Sequence, residues 1–243
     1  MRDRVILLPG WGLGSAPLEP LAAALAGLDE RLKVQIEALP MLDSDDPQDW
    51  LDELDASLPT DAWLGGWSLG GMLAAQLAAR RGERCCGLFT LASNACFVAR
   101  DDWSTAMPAA TFDAFHAGCA SDSAQTLKRF ALLCTQAGAD ARALARQLVL
   151  GAPLQQPDAL LAGLDLLATL DTRAALQAYN GPQLHLFAAA DALVPVAATQ
   201  ALLELVADVE VGILQGASHA FVLERPHEVA ASIRAFIGEA GDD

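Results

Sequence analysis

The chain has 243 residues and a formal net charge of −16, with 53% hydrophobic and 19% charged residues. The acidic excess excludes non-specific binding to nucleic acid or anionic membranes, and the apolar fraction excludes a disordered chain while sufficing for a filled core. Only Val5-Ile6-Leu7-Leu8 precede Pro9, too few for a signal-peptide core, and no apolar run approaches the roughly 18 residues of a membrane span.

A cytoplasmic protein with a single domain over residues 1–243 is therefore expected. In chain order, Val5-Ile6-Leu7-Leu8 reads as a buried strand that runs into the Pro9-Gly10 turn. Residues 18–28 are rich in Ala and Leu and read as a helix, with Pro17 and Pro20 near its start. Residues 34–39 form the next expected strand, closed by Pro40, and residues 47–58 a helix capped by Asp45 or Asp46. A third short strand over residues 62–65 leads directly into Gly66-Trp67-Ser68-Leu69-Gly70, and residues 69–79 follow with helical spacing. Residues 86–92 complete this βα series as a strand.

The periodicity then changes. From about residue 100 to residue 176 the chain holds only Ala- and Leu-rich helical segments. Alternation resumes with a strand over residues 183–187, a helix over 197–205, a strand over 209–214 and a last helix over 226–237, after which residues 238–243 are expected to fray. The pattern is a mostly parallel central sheet with helices on both faces, interrupted by an all-helical cap of about residues 100–176. Such a cap would lie over the C-terminal edge of the sheet, where open α/β folds bind ligands.

Chemistry concentrates at Ser68. A Gly-x-Ser-x-Gly match alone is weak, but here it sits between a strand and a helix full of small residues, the setting of a nucleophile elbow and of the α/β-hydrolase fold. Glycines flank the serine because its backbone is strained and no side chain fits beside it. The helix beginning at Leu69 would aim its N–H groups and positive dipole end at a developing oxyanion. The base must come late in the chain. Of the four histidines, His116 falls in the cap, His185 in a strand and His227 at the start of the last helix. His219 alone lies in a loop between the last strand and the last helix, where the base is required. Asp191, just past the preceding strand, is the expected acid, although the same position would suit a helix cap. Ser68, Asp191 and His219 thus follow the chain order of the fold's triad. The glycines around Trp11 bring its N–H toward the substrate as a second oxyanion donor beside Leu69, each plausible donor being worth roughly 3 kcal/mol in the transition state. Trp11 and Trp67 are also candidates for pocket walls, or for ordinary core residues. No metal or organic cofactor is required: the five cysteines contain no CxxC pair or Cys/His quartet and read as reduced, mostly buried thiols.

Three stretches carry a resemblance: Leu7-Leu8-Pro9-Gly10-Trp11-Gly12-Leu13, Trp63-Leu64-Gly65-Gly66-Trp67-Ser68-Leu69-Gly70-Gly71, and Leu91-Ala92-Ser93-Asn94-Ala95-Cys96-Phe97-Val98-Ala99-Arg100-Asp101-Asp102-Trp103. Together they resemble the pimeloyl-[acyl-carrier protein] methyl ester esterases of biotin synthesis. The third stretch is the most telling because the fold does not dictate it. The resemblance implies hydrolysis of the methyl ester of a pimeloyl chain carried on acyl carrier protein. It also implies substrate contacts at Trp11, Ser68, Leu69, the run Phe130-Ala131-Leu132-Leu133-Cys134 and His219, and carrier-protein contacts at Arg129 and Arg142, with Lys128 and Arg146 nearby. By spacing alone Phe130, Leu133 and Cys134 share one helix face, which suits a pocket wall or cap packing equally. The chain departs from the family in having Pro9-Gly10 where His-Gly is usual and in a shorter cap with fewer basic residues, and it is expected to start at the first core strand, without an N-terminal hairpin. With a net charge of −16, docking to an acidic carrier requires a local basic patch acting within about 8 Å. A general short-chain carboxylesterase or thioesterase, and a non-catalytic ligand-binding protein on the same scaffold, are the competing readings.

Overall fold

All six apolar runs become strands in the computed structural model, which describes residues 3–240. They are β1 (Arg4–Leu8), β2 (Lys33–Ile36), β3 (Ala62–Trp67), β4 (Cys85–Leu91), β5 (Gln183–Ala188) and β6 (Glu210–Leu214). Their order is β2-β1-β3-β4-β5-β6, and every neighbouring pair is parallel. Parallel neighbours need long crossovers, which is why helical stretches separate the strands in sequence. The helices are α1 (Glu19–Leu28), α2 (Pro47–Ser57), α3 (Leu69–Arg81), α4 (Ala109–Ser121), α5 (Ser123–Cys134), α6 (Ala141–Gly151), α7 (Pro157–Thr169), α8 (Arg173–Ala178), α9 (Ala198–Leu205), α10 (Phe221–Glu224) and α11 (Pro226–Glu239).

Burial explains which residues join which layer. The interior strands β3 and β5 are buried at every position, whereas the edge strands β2 and β6 are only partly so. Edge position also shortens β2: its last rung is the Glu37 N–H to the Leu7 carbonyl at 3.0 Å, and β1 ends one residue later, so the expected extension to residue 39 finds no partner. α1 packs on α11, while α3 packs on α2 and α8. The buried Arg81, last residue of α3, donates to the carbonyls of Leu58 at 3.1 Å and Pro59 at 2.7 Å and to the Asp55 carboxylate at 2.7 Å. With a further bond to the Asp55 carbonyl at 3.4 Å, it takes up acceptors in the last turn of α2 and just past its end. Asp46 is the cap of α2, accepting from the Gln48 N–H at 2.9 Å.

Two sequence boundaries move. α8, expected within the cap, packs against α3 instead, which leaves α4 to α7 as the helices of the insertion. α11 runs through Glu239, so Gly238 and Glu239 are helical where fraying was expected; residues 241–243 lie outside the described residues. Among the described residues, no helix is long and apolar enough to cross a membrane.

The tract after Ser93 acts as a strap for the insertion. The Asn94 amide donates to the Thr105 carbonyl at 2.7 Å, and its Oδ1 accepts from the Trp103 indole at 3.0 Å. Arg100 donates to the Thr169 carbonyl at 2.8 Å, and Thr172 returns two bonds to the Ala95 carbonyl, from its N–H at 2.9 Å and its hydroxyl at 3.0 Å. The outgoing and returning chains of the insertion are thus tied to each other where they leave the sheet.

The sheet order places β1 between β2 and β3, so the crossover from β1 runs outward to β2 while the crossover from β3 runs the other way, to β4. The C-terminal ends of β1 and β3 flank this switch point, the position where doubly wound sheets open a crevice. The loop after β1 carries Trp11, and the turn after β3 carries Ser68.

Candidate active site

Ser68 joins β3 to α3 at φ 55° and ψ −120°, a conformation side chains rarely adopt and one that costs about 1–3 kcal/mol. Its neighbours have no room for a side chain. A Cβ at Gly66 would lie 2.2 Å from the Gly70 backbone, one at Gly70 would lie 2.2 Å from the Leu8 carbonyl oxygen, and one at Gly71 would lie 2.1 Å from the Ser93 hydroxyl. The turn is pinned from both sides, by the Ser68 N–H donating to the Leu91 carbonyl at 2.8 Å and by the Ser93 hydroxyl donating to the Ser68 carbonyl at 2.5 Å. The Gly71 and Met72 N–H groups also donate to that carbonyl. The Leu69 N–H precedes this ladder, and the first N–H groups of a helix have no acceptor within it. Close packing of Gly70 on the Leu8 and Pro9 carbonyls sets the start of α3 beside the loop of Trp11, and Gly10, Trp11 and Leu69 line one cleft of about 170 Å³.

His219 follows β6 in a loop whose Gly216 has φ +66°. Its ring is fully buried, and Nδ1 lies 2.8 Å from Asp191 Oδ2. The other carboxylate oxygen, Oδ1, accepts the N–H groups of Leu193 at 2.8 Å and Val194 at 2.9 Å. Asp191 therefore orders the turn after β5 and contacts the imidazole; it does not cap the next helix, whose N-cap is Ala197. Since the carboxylate accepts at Nδ1, the proton is assigned there and Nε2 carries the lone pair. Nε2 is buried and, among the described residues, has no hydrogen-bond partner. The Ser68 turn reaches the His219 loop through the buried Trp67, whose indole N–H donates to the His219 carbonyl at 2.9 Å and whose ring centroid lies 5.7 Å from the imidazole. Trp67 is thus a brace between the Ser68 turn and the His219 loop. Its role was not separable in sequence from core packing, because the carbonyl it binds lies 152 residues away.

Two further supports of the loop carried no sequence signal. Glu224 accepts the Ser218 N–H at 3.2 Å and, more closely, the Ser218 hydroxyl. The Ala220 N–H donates to the Cys134 carbonyl at 2.9 Å, tying the loop to the end of α5.

The other histidines are placed away from this chemistry. His116 bridges to Asp165 at 2.8 Å between α4 and α7, and His227 is exposed on α11. His185 is buried in β5 with Nδ1 2.7 Å from the Thr90 hydroxyl, and desolvation pushes its pKa down to about 3. The unfolded chain binds a proton at this residue below about pH 6.5 and the native chain does not until about pH 3. Stability from His185 is therefore full above pH 6.5 and lost on acidification, by up to about 1.4 kcal/mol per pH unit across the window. Chemical denaturation between pH 7 and 4 should show a shallower loss for His185→Asn than for the wild type; equal slopes would exclude this role.

The run implied by resemblance divides by helix geometry. Phe130 and Leu133 line an apolar cavity of about 30 Å³ together with Phe97, Phe115, Leu164 and Leu193. Ala131 and Cys134 are fully buried, and burial pushes the Cys134 thiol up. Leu132, an implied substrate contact outside the Phe130, Leu133 and Cys134 face, is turned outward and 51% exposed. The five cysteines are all thiols, four of them buried. Arg129 and Arg142 are exposed on α5 and α6, with Lys128 and Arg146, and among the described residues none of the four lies within 4.0 Å of a carboxylate.

A parallel sheet with helices on both faces and a serine elbow at its switch point define an α/β hydrolase, and residues 5–226 match the family described as alpha/beta hydrolase fold. Solved structures agree on the fold: a bromoperoxidase from Bacillus anthracis superposes with a TM-score of 0.85 at 18% identity, covering 98% of this chain and 92% of that one. An esterase from Exiguobacterium antarcticum gives 0.83 at 16%, covering 97% and 92%. Sequence relatives are more specific. The Pimeloyl-[acyl-carrier protein] methyl ester esterase of Aeromonas hydrophila is 35% identical over 96% of this chain and 95% of its own length. That of Aromatoleum aromaticum is 35% identical over 96% and 97%. The Biotin biosynthesis bifunctional protein BioHC of Cellvibrio japonicus is 37% identical over 97% of this chain, which spans 47% of that protein, about half its length. The chain belongs to the family of pimeloyl-[acyl-carrier protein] methyl ester esterases, and it is a carboxylic ester hydrolase.

Proposed function

We propose that the protein is a serine carboxylesterase that hydrolyses the methyl ester of pimeloyl-acyl carrier protein in biotin synthesis, through Ser68, His219 and Asp191. The observation that carries the catalytic reading is the buried His219 ring, held at Nδ1 by Asp191 with Nε2 unpartnered, braced by the indole of the residue that precedes Ser68. Nε2 takes the Ser68 proton as the hydroxyl oxygen attacks the ester carbonyl. The oxyanion rests on the N–H groups of Trp11 and Leu69, and the protonated imidazole, stabilised by Asp191, gives its proton to departing methanol. Water, activated by Nε2, then attacks the acyl-enzyme carbonyl and frees the acid and Ser68.

The substrate follows from the names of the relatives, and two features of the chain support it. The apolar walls of Phe130 and Leu133 suit a hydrocarbon chain, whose entry requires the cavity of about 30 Å³ between them to widen, and the exposed cations of α5 and α6 offer a local positive patch to an acidic carrier on an otherwise acidic protein. The helices α4 to α7 would act as the cap over the site. Complementation tests the reading: a biotin auxotroph lacking this esterase should grow with the wild-type chain and not with Ser68→Ala. Failure of the wild type to support growth, together with rates on short p-nitrophenyl esters that match those on pimeloyl methyl esters, would replace it with a general short-chain carboxylesterase.

A further inference from the structure

The loop that would supply the second oxyanion donor belongs to the core, but its surroundings belong to the insertion. The Trp11 indole N–H donates to the Leu160 carbonyl of α7 at 2.9 Å. One helical turn on, Gly163 faces the same ring: a Cβ there would lie 2.8 Å from Trp11 Cδ1 and 3.1 Å from Nε1. Apart from the cleft that Trp11 and Gly163 both line, the ring is enclosed. Phe115 of α4 and Phe130 of α5 meet it edge-on, with centroids at 5.6 and 5.0 Å, and the indole is 2% exposed. The next loop residue is gripped as well, since a Cβ on Gly12 (φ +70°) would lie 2.8 Å from Leu127 of α5, and its carbonyl accepts from Gln155 at 3.3 Å.

We infer that Gly163 is a positioning residue for the oxyanion site: the notch it leaves in α7 seats the Trp11 indole, and the seated indole fixes the main-chain N–H of Trp11. This inference rests on the catalytic reading above. A methyl group in the notch would move the indole, and the ring is attached to the peptide that carries the donor. Glycine inside a helix weakens it relative to alanine, so helix formation alone favours Ala at this position. Activity and stability should therefore move apart.

The test is the cycle of wild type, Gly163→Ala, Trp11→Val and the double variant, assayed for kcat, KM and thermal midpoint on a pimeloyl methyl ester. Gly163→Ala should lose about 10- to 100-fold in kcat, less than or equal to the loss of a whole oxyanion donor, with KM changed by less than about threefold and an unchanged or raised midpoint. Valine has no atom beyond Cγ, and so none where the indole Cδ1 and Nε1 lie, but it keeps the backbone N–H; Gly163→Ala should therefore change kcat by less than about threefold in the Trp11→Val background. That comparison with Trp11→Val stands even if Gly163→Ala alone does not fold. Wild-type kcat in Gly163→Ala, or a loss of about 10-fold or more on adding Gly163→Ala to Trp11→Val, overturns the inference. Fluorophosphonate labelling of the wild type separates the two readings: labelled Ser68 with an indifferent Gly163 removes only the positioning role, whereas an unlabelled wild type removes the catalytic one.

Discussion

Ser68→Ala should fold as the wild type does and lose about a millionfold in kcat on a methyl ester. The substitution removes one hydroxyl from a buried site whose main-chain bonds, from Ser68 N–H to Leu91 and from the Ser93 hydroxyl to the Ser68 carbonyl, do not involve it. Alanine must adopt the same strained φ of 55°, so the elbow keeps its cost and its shape. What remains is binding and whatever the oxyanion donors achieve with water as nucleophile, which in serine hydrolases leaves roughly 1,000- to 10,000-fold over the uncatalysed rate. Steady-state hydrolysis, with fluorophosphonate labelling and a thermal midpoint measured on the same preparations, checks this. Retention of more than a few per cent of activity would mean that another group attacks the ester.

Asp191→Asn should cost about 10,000-fold in kcat with little change in fold, and the reason is specific to its two oxygens. Oδ1 accepts from the Leu193 and Val194 N–H groups at 2.8 and 2.9 Å, so an asparagine must keep its carbonyl oxygen there. Its NH2 group then faces His219 Nδ1 at the position now held by Oδ2. Two donors cannot pair, so the imidazole moves its proton to Nε2, the atom that must accept from Ser68. The carboxamide is nearly isosteric, and the wrong tautomer rather than lost packing accounts for the fall. A loss of less than tenfold would show that Asp191 orders the turn after β5 and does not serve the base.

Much of this site was legible because its residues sit at ends of elements. Ser68, Asp191 and His219 each follow a strand, and strands announce themselves by short apolar runs closed by Gly or Pro. Chain order then leaves His219 as the one loop histidine in the right place. Boundaries were less legible where a neighbour decides them, as at β2, which stops where β1 stops offering partners. The insertion was read as a helical block, but not that α8 leaves it for α3 or that Leu132 faces solvent, since Ala- and Leu-rich helices present apolar residues on more than one face. The tract after Ser93 was read as a family signature; its physical content, a strap of Asn94, Arg100, Trp103 and Thr172, is visible only when residues 95 and 172 are adjacent.

By itself, then, the sequence determined the parallel α/β plan, the helical insertion and the three residues whose order along the chain matches hydrolytic chemistry, because these depend on period, turn residues and order, all of which are local or sequential. The tertiary structure alone decided what holds those residues in place. Trp67 on the His219 carbonyl, Glu224 on Ser218 and Gly163 under Trp11 are contacts made by backbone groups or by the absence of a side chain. A carbonyl or a missing Cβ has no signature of its own in a sequence, and it acquires a role only when packing brings a distant residue against it.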